Sequence, residues 1–573
     1  MRTMGSLLSF VAASVCSAIV LAFPCGGISP PVAIAAFAIG FVTAFAAWRG
    51  IPAGKEPAVN AWDVLLWVVF ALAALRAFLW ILYPAGEEWR VLSPNNLGDI
   101  SLHLHMIRYL AGGVDFWPAS PILAGVPLIY PLGIDLFNAL LLCVGMPVER
   151  GLIWVGLLGA FLTGWSLWRW GGAFALAALL FNGGLAGFLI FQTGSIQDFQ
   201  ADLPWKNFFL TMLVTQRGLL HALPSGLFLL CVWREDFFRT GSGVPRWVAF
   251  LLYVTMPIFS AHAFVFLSLI LAGAFVVNPK KRKILLGFVA CAILPATTAM
   301  FFVTGHFSIA SGLRWLPGWM QGSEMWLAYV RTSGAAWLEN SKWFFWLWNF
   351  GVSLPLLCLL GWKIVKTRDR EALCFAGTGL VVFLICCFVS LAPWEWDNTK
   401  LFLWAWLACA PFLWQMLSTL SLPLRGLLCL LLFFSGAVSL VGGLDGRHGY
   451  KLTTRQELDT TAALLKDVPF EDRIVISPDY NHPVMLLGRP VFCGYAGHLW
   501  SHGLDYRDKW QLLENILKKK PGWQEVLKTI DAQWLFLRTP RPVLQEIRRN
   551  PPPHSGAKAA ESPDYSPRSS PTM

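Results

Sequence analysis

The chain has 573 residues, carries a formal net charge of +11, and is 56% hydrophobic but only 13% charged, where a soluble domain carries about 25% charge. This composition excludes an ordinary soluble enzyme, and no ten-residue stretches alternate polar and apolar residues as a membrane β-barrel requires. The positive charge falls in short runs, Lys280-Lys281-Arg282-Lys283 and Lys363, Lys366, Arg368 and Arg370, which read as topology signals between spans rather than as a nucleic-acid surface.

Apolar runs recur from the N-terminus to residue 442. In chain order they predict spans over 5–23, 31–48, 62–83, 150–167, 172–192, 208–232, 246–259, 261–277, 284–304, 342–361, 372–391, 400–419 and 424–442, about thirteen in all. No cleavable signal peptide is expected ahead of the first. The twelve cysteines have no metal or disulfide spacing; Cys386 and Cys387, for example, sit inside an apolar run as small hydrophobes.

Placing the basic 279–283 loop in the cytoplasm puts Arg49, Lys55, Arg169, Arg234, Arg239, Arg246, 362–371 and Arg425 on the same side. The parity holds only if 121–147, with Pro121, Pro127, Pro131, Asp135 and Asn138, is not a full span but a re-entrant or surface helix. The N-terminus is then cytoplasmic. Segments 84–149, 305–341, 392–399 and everything after 443 share the outer, periplasmic or extracellular, face of an inner or plasma membrane.

Residues 450–548 have soluble composition and predict a small α/β domain: helix 453–465, strand 473–477, helices 506–518 and 522–530, and strand 534–537. The Pro- and Ser-rich 549–573 read as a disordered tail. The expected fold is an all-α polytopic membrane protein with two N-terminal spans (1–61), a transmembrane core (62–442), this C-terminal α/β domain on the outer face (443–548) and the tail.

Six constellations carry candidate chemistry. Asn95 to His105 places Asp99 and His103 at i, i+4, a carboxylate beside an imidazole suited to general-base work or metal binding, with His105 two residues on. Helix capping by Asp99 is the bland alternative. Tyr130-Pro131-Leu132-Gly133-Ile134-Asp135 reads as a helix start. The stretch from Asn207 to Gln216-Arg217-Gly218 and His221 puts a cation several residues into a span, where it needs a partner or an anionic ligand such as phosphate, or snorkels. His262, in Ser260-Ala261-His262, sits at the outer tip of a short hairpin. Pro393-Trp394-Glu395-Trp396-Asp397-Asn398-Thr399-Lys400 packs indoles, carboxylates, an amide and an ammonium into eight residues. Such groups bind sugars and phosphate, or form an interfacial Trp belt. Asn481-His482-Pro483, Gly488-Arg489-Pro490 and Gly494 to Gly503, with His498, Trp500 and His502, read either as a loop over a cleft or as domain packing. No Gly-rich nucleotide loop, HExxH helix or GxSxG elbow is present.

This layout resembles the GT-C class of membrane glycosyltransferases over about residues 60–510: many spans, an acidic residue in the first large outer loop at Gly98-Asp99, juxtamembrane helices after it at Tyr130-Pro131-Leu132, and a C-terminal outer domain. Gln216-Arg217, Pro393 to Lys400 and Asn481 to His502 look like a group of large multi-span bacterial membrane proteins filed with that class. In this chain the acidic loop follows the third span, and Ile100 follows Asp99 where the class commonly has an acidic pair.

The resemblance implies a polyprenyl-phosphate or polyprenyl-diphosphate sugar donor, a lipid, glycan or protein acceptor, and inverting transfer on the outer face. Asp99 would be the general base and His103 would orient it or help hold a divalent Mg or Mn ion, which some members need and others do not. Arg217 and Lys400 are the candidates for the phosphate. Trp396, Asp397 and Asn398 would hold sugar, with His105, Tyr130, Gln216, His262, His498 and His502 as further substrate contacts. A lipid or polysaccharide transporter would instead carry charges through several spans or inverted repeats, neither of which is visible. An inactive GT-C-like scaffold would tolerate loss of Asp99 and Lys400.

Overall fold

The computed structural model describes all residues except 55–57, 94, 306–312, 334–340, 447–448, 539–541 and 548–573. Helices α1 (Arg2–Cys25) and α2 (Pro30–Gly50) form a hairpin, followed by α3 (Ala61–Leu79). A short antiparallel pair, β1 (Tyr83–Ala85) and β2 (Glu88–Val91), leads to α4 (Asn96–Ala111) and α5 (Gly133–Cys143), which pack on each other. Then come α6 (Val148–Leu180), the single turn α7 (Ile190–Thr193), α8 (Leu219–Phe238), the consecutive short helices α9 (Arg246–Val254) and α10 (Met256–Phe259), and α11 (Ala261–Val277). Helix α12 (Arg282–Val303) lies largely exposed on the bundle surface.

Strand β3 (Leu313–Trp315) pairs with β4 (Val389–Leu391), and between them lie α13 (Glu324–Thr332), α14 (Lys342–Phe350), α15 (Ser353–Thr367), the short α16 (Arg370–Ala372) and α17 (Thr378–Phe388). The bundle closes with α18 (Thr399–Leu417), most of it buried in the centre, and α19 (Leu422–Asp445).

Among the described residues, eight helices are long and apolar enough to cross a membrane: Arg2–Cys25, Pro30–Gly50, Ala61–Leu79, Val148–Leu180, Pro279–Val303, Arg370–Phe388, Glu395–Leu417 and Leu422–Asp445. A ninth is Lys342–Phe350 with Ser353–Thr367 if that pair, bent by 87°, counts as one span. This is fewer than the thirteen expected, because several apolar runs are broken or short. The expected 172–192 span begins at Gly171 and Gly172, whose backbone is non-helical. Gly172, at φ 63° and ψ −154°, is in a region closed to side chains with a Cβ. Asp63 caps the restart by accepting from the Ala173 N–H at 3.1 Å. The helix then ends at Leu180.

The expected 208–232 span is helical only from Leu219, after a π-turn over Phe209–Leu213. Backbone polar groups freed inside an apolar bundle must find partners. Buried amides supply them: Asn207 Nδ2 donates to Leu180 O at 2.8 Å, Asn182 Oδ1 accepts from Phe208 N at 2.6 Å, and Asn349 Oδ1 accepts from Trp205 N at 3.1 Å. Asn207 is therefore a structural residue. The 121–147 segment contains α5 alone, whose 11 residues are too short to cross.

After α19, β5 (Tyr450–Thr454) pairs antiparallel with β2 and ties the C-terminal domain to the loop before α4. Helix α20 (Arg455–Leu464), β6 (Ile474–Val475), α21 (Pro483–Leu486), α22 (Ala496–Ser501), α23 (Arg507–Leu517), α24 (Trp523–Thr529), β7 (Trp534–Leu537) and β8 (Val543–Glu546) complete it. The sheet order is β6-β7-β8, with β6 parallel and β8 antiparallel to β7. The strand and helix expectations for 453–537 match within a few residues. The expected disordered tail lies outside the described residues. The opposite end of the bundle gathers Arg234, Arg239 and Glu371, with Arg234 Nε 2.5 Å from the carboxylate.

Candidate functional site

Four helices begin around one cavity at the end of the bundle that carries the C-terminal domain. Its volume is about 370 Å³, within the range of roughly 300–1,000 Å³ that small-molecule sites occupy. Tyr130 and Pro131 line it just before α5, and Gln216, Arg217, Gly218 and Leu219 at the start of α8. Ser260, Ala261 and His262 line it at the start of α11, and Asp397, Lys400 and Leu401 at the start of α18. Helix N-termini present partial positive charge and N–H groups, so their convergence favours an anion.

Arg217 strengthens that reading. It is 1% exposed, and none of its three guanidinium nitrogens has a hydrogen-bond partner among the described residues. A buried guanidinium left unpartnered is costly, and its fork matches phosphate oxygens. The local fold holds it there: Gly218 packs so closely that a Cβ would lie 2.1 Å from Phe259 O, pinning the Arg217 turn against the end of α10. Lys400 also faces the cavity, but its ammonium is 3.0 Å from Asp397. One uncommitted cation therefore stands beside one already paired. Met300 and Val303 of α12, Leu313 of β3 and Leu391 of β4 give the remaining wall an apolar side.

Asp99 stands beside this cavity rather than in its wall. It lies in the first turn of α4, whose N-cap is Asn95, so it is free of capping duty. Gln216 Nε2 donates to Asp99 Oδ2 at 3.5 Å and links it to the cavity. Burial pushes the Asp99 carboxyl up from the usual carboxylate range, against the opposing pull of His103 and Lys400. A carboxylate raised in this way is a stronger base once ionised.

His103 has a partner, Asp135, that the sequence offered in a separate constellation and did not place with it. Its Nδ1 is 2.8 Å and 3.0 Å from the two carboxylate oxygens of Asp135, and both side chains are buried. The signal was present: Asp135 is the one acid in a short, mostly apolar helix. The ring of Tyr130 lies between this dyad and the cavity, 6.3 Å from His103 and 4.9 Å from His502 by ring centroids. Burial and the surrounding carboxylates raise the Tyr130 hydroxyl well above its usual value, so it faces the cavity as a neutral donor. His502 lines the cavity from the C-terminal domain, and burial lowers it to about 3, leaving a neutral imidazole.

Four residues expected to touch substrate have other partners. Asn398 organises the loop instead of offering its amide to sugar: its Oδ1 accepts from Leu391 N, and its Nδ2 donates to Cys386 O and Val389 O. Trp396 is buried and donates to Pro204 O at 3.0 Å. His105 is fully buried and its Nε2 bonds Arg489 O in the C-terminal domain. His498 Nε2 donates to Gly98 O at 3.2 Å, clamping α22 onto the start of α4 next to Asp99. These last two hold the domain against the bundle.

Among the described residues no group of three or more His, Cys, Asp or Glu side chains is arranged to hold a metal ion, and His103 Nδ1 is occupied by Asp135. Asp99 and His103 alone make too small a donor set for a resident divalent cation. No family model matches the chain, and no curated protein matches it significantly.

Proposed function

We propose that the protein is a membrane glycosyltransferase that moves a sugar from a polyprenyl-phosphate or polyprenyl-diphosphate donor to an acceptor hydroxyl, on the face of the membrane that carries the C-terminal domain. The observation that supports it best is Arg217, buried and unpartnered in a cavity where four helices begin. In this reading the donor phosphate lies against Arg217, with Lys400 and the helix starts sharing its charge. The apolar wall of α12, β3 and β4 meets the first isoprene units.

Asp99 takes the acceptor proton as the acceptor oxygen attacks the anomeric carbon. The bond from that carbon to the phosphate oxygen breaks, and the lipid phosphate leaves with the bonding pair, inverting the centre. The leaving group is already activated, so no nucleotide site is needed. The face would be periplasmic or extracellular, with the basic loops at the opposite end in the cytoplasm.

The test is sugar transfer by the purified protein in lipid, with a panel of labelled polyprenyl-phosphate and polyprenyl-diphosphate sugars, comparing wild type with Asp99→Asn. Transfer that disappears in the variant while donor binding persists is expected. Transfer that survives removes Asp99 as the base. Absence of both transfer and polyprenyl-phosphate binding in the folded protein sinks the transferase reading.

A further inference from the structure

The acceptor is the open half of the reaction, and the seam between the C-terminal domain and the bundle bears on it. Two segments form that seam. One is the 392–398 loop, where Pro393 lines the cavity. The other is α22 with the turn after it, where Ser501 and His502 line the same cavity. They meet closely: a Cβ on Gly503 would lie 2.9 Å from Pro393. Beside these lining residues sit Trp394 and Trp500, with ring centroids 5.8 Å apart and planes at 52°. Trp396 continues the row, 5.0 Å from Trp394.

Trp500 is 45% exposed, although it belongs to the polar C-terminal domain. An indole left in water next to a ligand cavity invites a partner with an apolar face. Polar groups edge the row. Arg314 donates to Pro393 O at 2.8 Å and lies 3.5 Å from Glu395, while the Lys206 ammonium sits 5.8 Å from the Trp396 ring centroid. Indole faces bordered by the half-buried Glu395 carboxylate and the exposed Arg314 guanidinium match a sugar ring, whose C–H face is apolar and whose rim is hydroxyl.

The place of the row also matters. His498, two residues before Trp500 on the same short helix, is bonded to Gly98 O, adjacent to Asp99. That bond holds the helix that carries Trp500 beside the candidate base, and the next two residues, Ser501 and His502, reach the cavity.

We propose that Trp394 and Trp500 form a stacking subsite for a carbohydrate acceptor, so that the sugar is added to a glycan chain rather than to a protein or a simple lipid. This rests on the transferase reading, but its binding step is measured without transfer. The full-length protein in nanodiscs is titrated with fluorescently labelled maltohexaose, chitohexaose and mannohexaose, and separately with undecaprenyl phosphate. Wild type, Trp500→Ala, Trp394→Ala and Trp500→Phe are compared.

The expected result is saturable binding of at least one oligosaccharide, weakened about tenfold in each alanine variant and largely restored in Trp500→Phe. Undecaprenyl phosphate binding should stay unchanged in all three, which also shows that they are folded. No oligosaccharide binding to wild type, or binding indifferent to both alanine substitutions, overturns the subsite while leaving the phosphate reading intact. Absence of undecaprenyl phosphate binding to wild type overturns the transferase reading itself, whatever the glycan result.

Discussion

Replacing Arg217 with Met separates a ligand-binding cation from a structural one, because the two roles predict opposite signs. In the ligand-free chain the guanidinium is buried with no hydrogen-bond partner among the described residues. Its favourable neighbour is Asp135, whose carboxylate is already bonded to His103. Taking one ion out of water costs a fold on the order of several kcal/mol, a cost that an apolar side chain of similar length avoids. Here the lost attraction to Asp135 offsets part of that, so Arg217→Met should gain about 1–3 kcal/mol without ligand.

The bound state should move the other way. A guanidinium fork on phosphate makes two charge-assisted bonds of roughly 1.5–3 kcal/mol each, so affinity should fall by at least about a hundredfold. The assay is thermal unfolding in detergent with and without undecaprenyl phosphate. The variant should unfold at a higher temperature alone and lose the ligand-induced rise seen in wild type. A variant that unfolds earlier alone and keeps the full ligand-induced rise would show that Arg217 is a structural cation, and the anion argument would fail.

Other consequences follow from the same geometry. Burial holds the Asp99 carboxyl above its ordinary 3.8, so ionised Asp99 costs the fold stability as pH rises from that value through the raised one. Asp99→Asn should therefore be more stable than wild type at pH 7 while losing transfer. The acid limb of wild-type activity should sit above the usual carboxylate range; a limb at 3.8, or a less stable variant, contradicts this. His498 and His502 are lowered by burial from 6.5 to about 4 and about 3, so their contribution to stability is complete above pH 6.5 and is lost as pH falls toward those values. Unfolding followed from pH 7 to 4 should show a loss that is smaller in His498→Gln, and an equal loss would reject the assignment. Asn398→Ala removes three hydrogen bonds inside the loop, so it should cost about 2–3 kcal/mol. The folded fraction should bind donor as wild type does; selective loss of donor binding would restore the sugar-contact role expected from sequence.

The sequence made some of this legible and hid the rest for physical reasons. Amphipathic soluble elements are local patterns, so the C-terminal strands and helices fell within a few residues of their places. Polar residues at the ends of apolar runs were also legible, which is why Tyr130, Gln216, Arg217, His262, Asp397, Lys400 and His502 do line one cavity. The breaks were not. Hydropathy treats 172–192 and 208–232 as continuous, whereas the Gly171-Gly172 kink and the π-turn before Arg217 depend on Asp63, Asn182, Asn207 and Asn349 reaching across from other segments. Those are tertiary bonds with no local signature. For the same reason His105, Trp396, Asn398 and His498 looked like ligand contacts. Their residue types suit sugars, and only the fold shows the backbone groups that already occupy them.

The breaks are also what make an anion site feasible in an apolar bundle. A continuous helix through Gln216 to His221 would run past this point with no terminus facing its neighbours. Ending the π-turn before Val214 and restarting at Leu219 places a helix start beside those of α5, α11 and α18. It also leaves the Arg217 guanidinium buried among them. The buried amides stabilise the broken backbone, and nothing described stabilises the guanidinium in the same way. That contrast separates scaffold from site: Asp63, Asn182, Asn207 and Asn349 each bond the broken backbone, whereas all three guanidinium nitrogens of Arg217, on the cavity wall, remain to be bonded by a ligand.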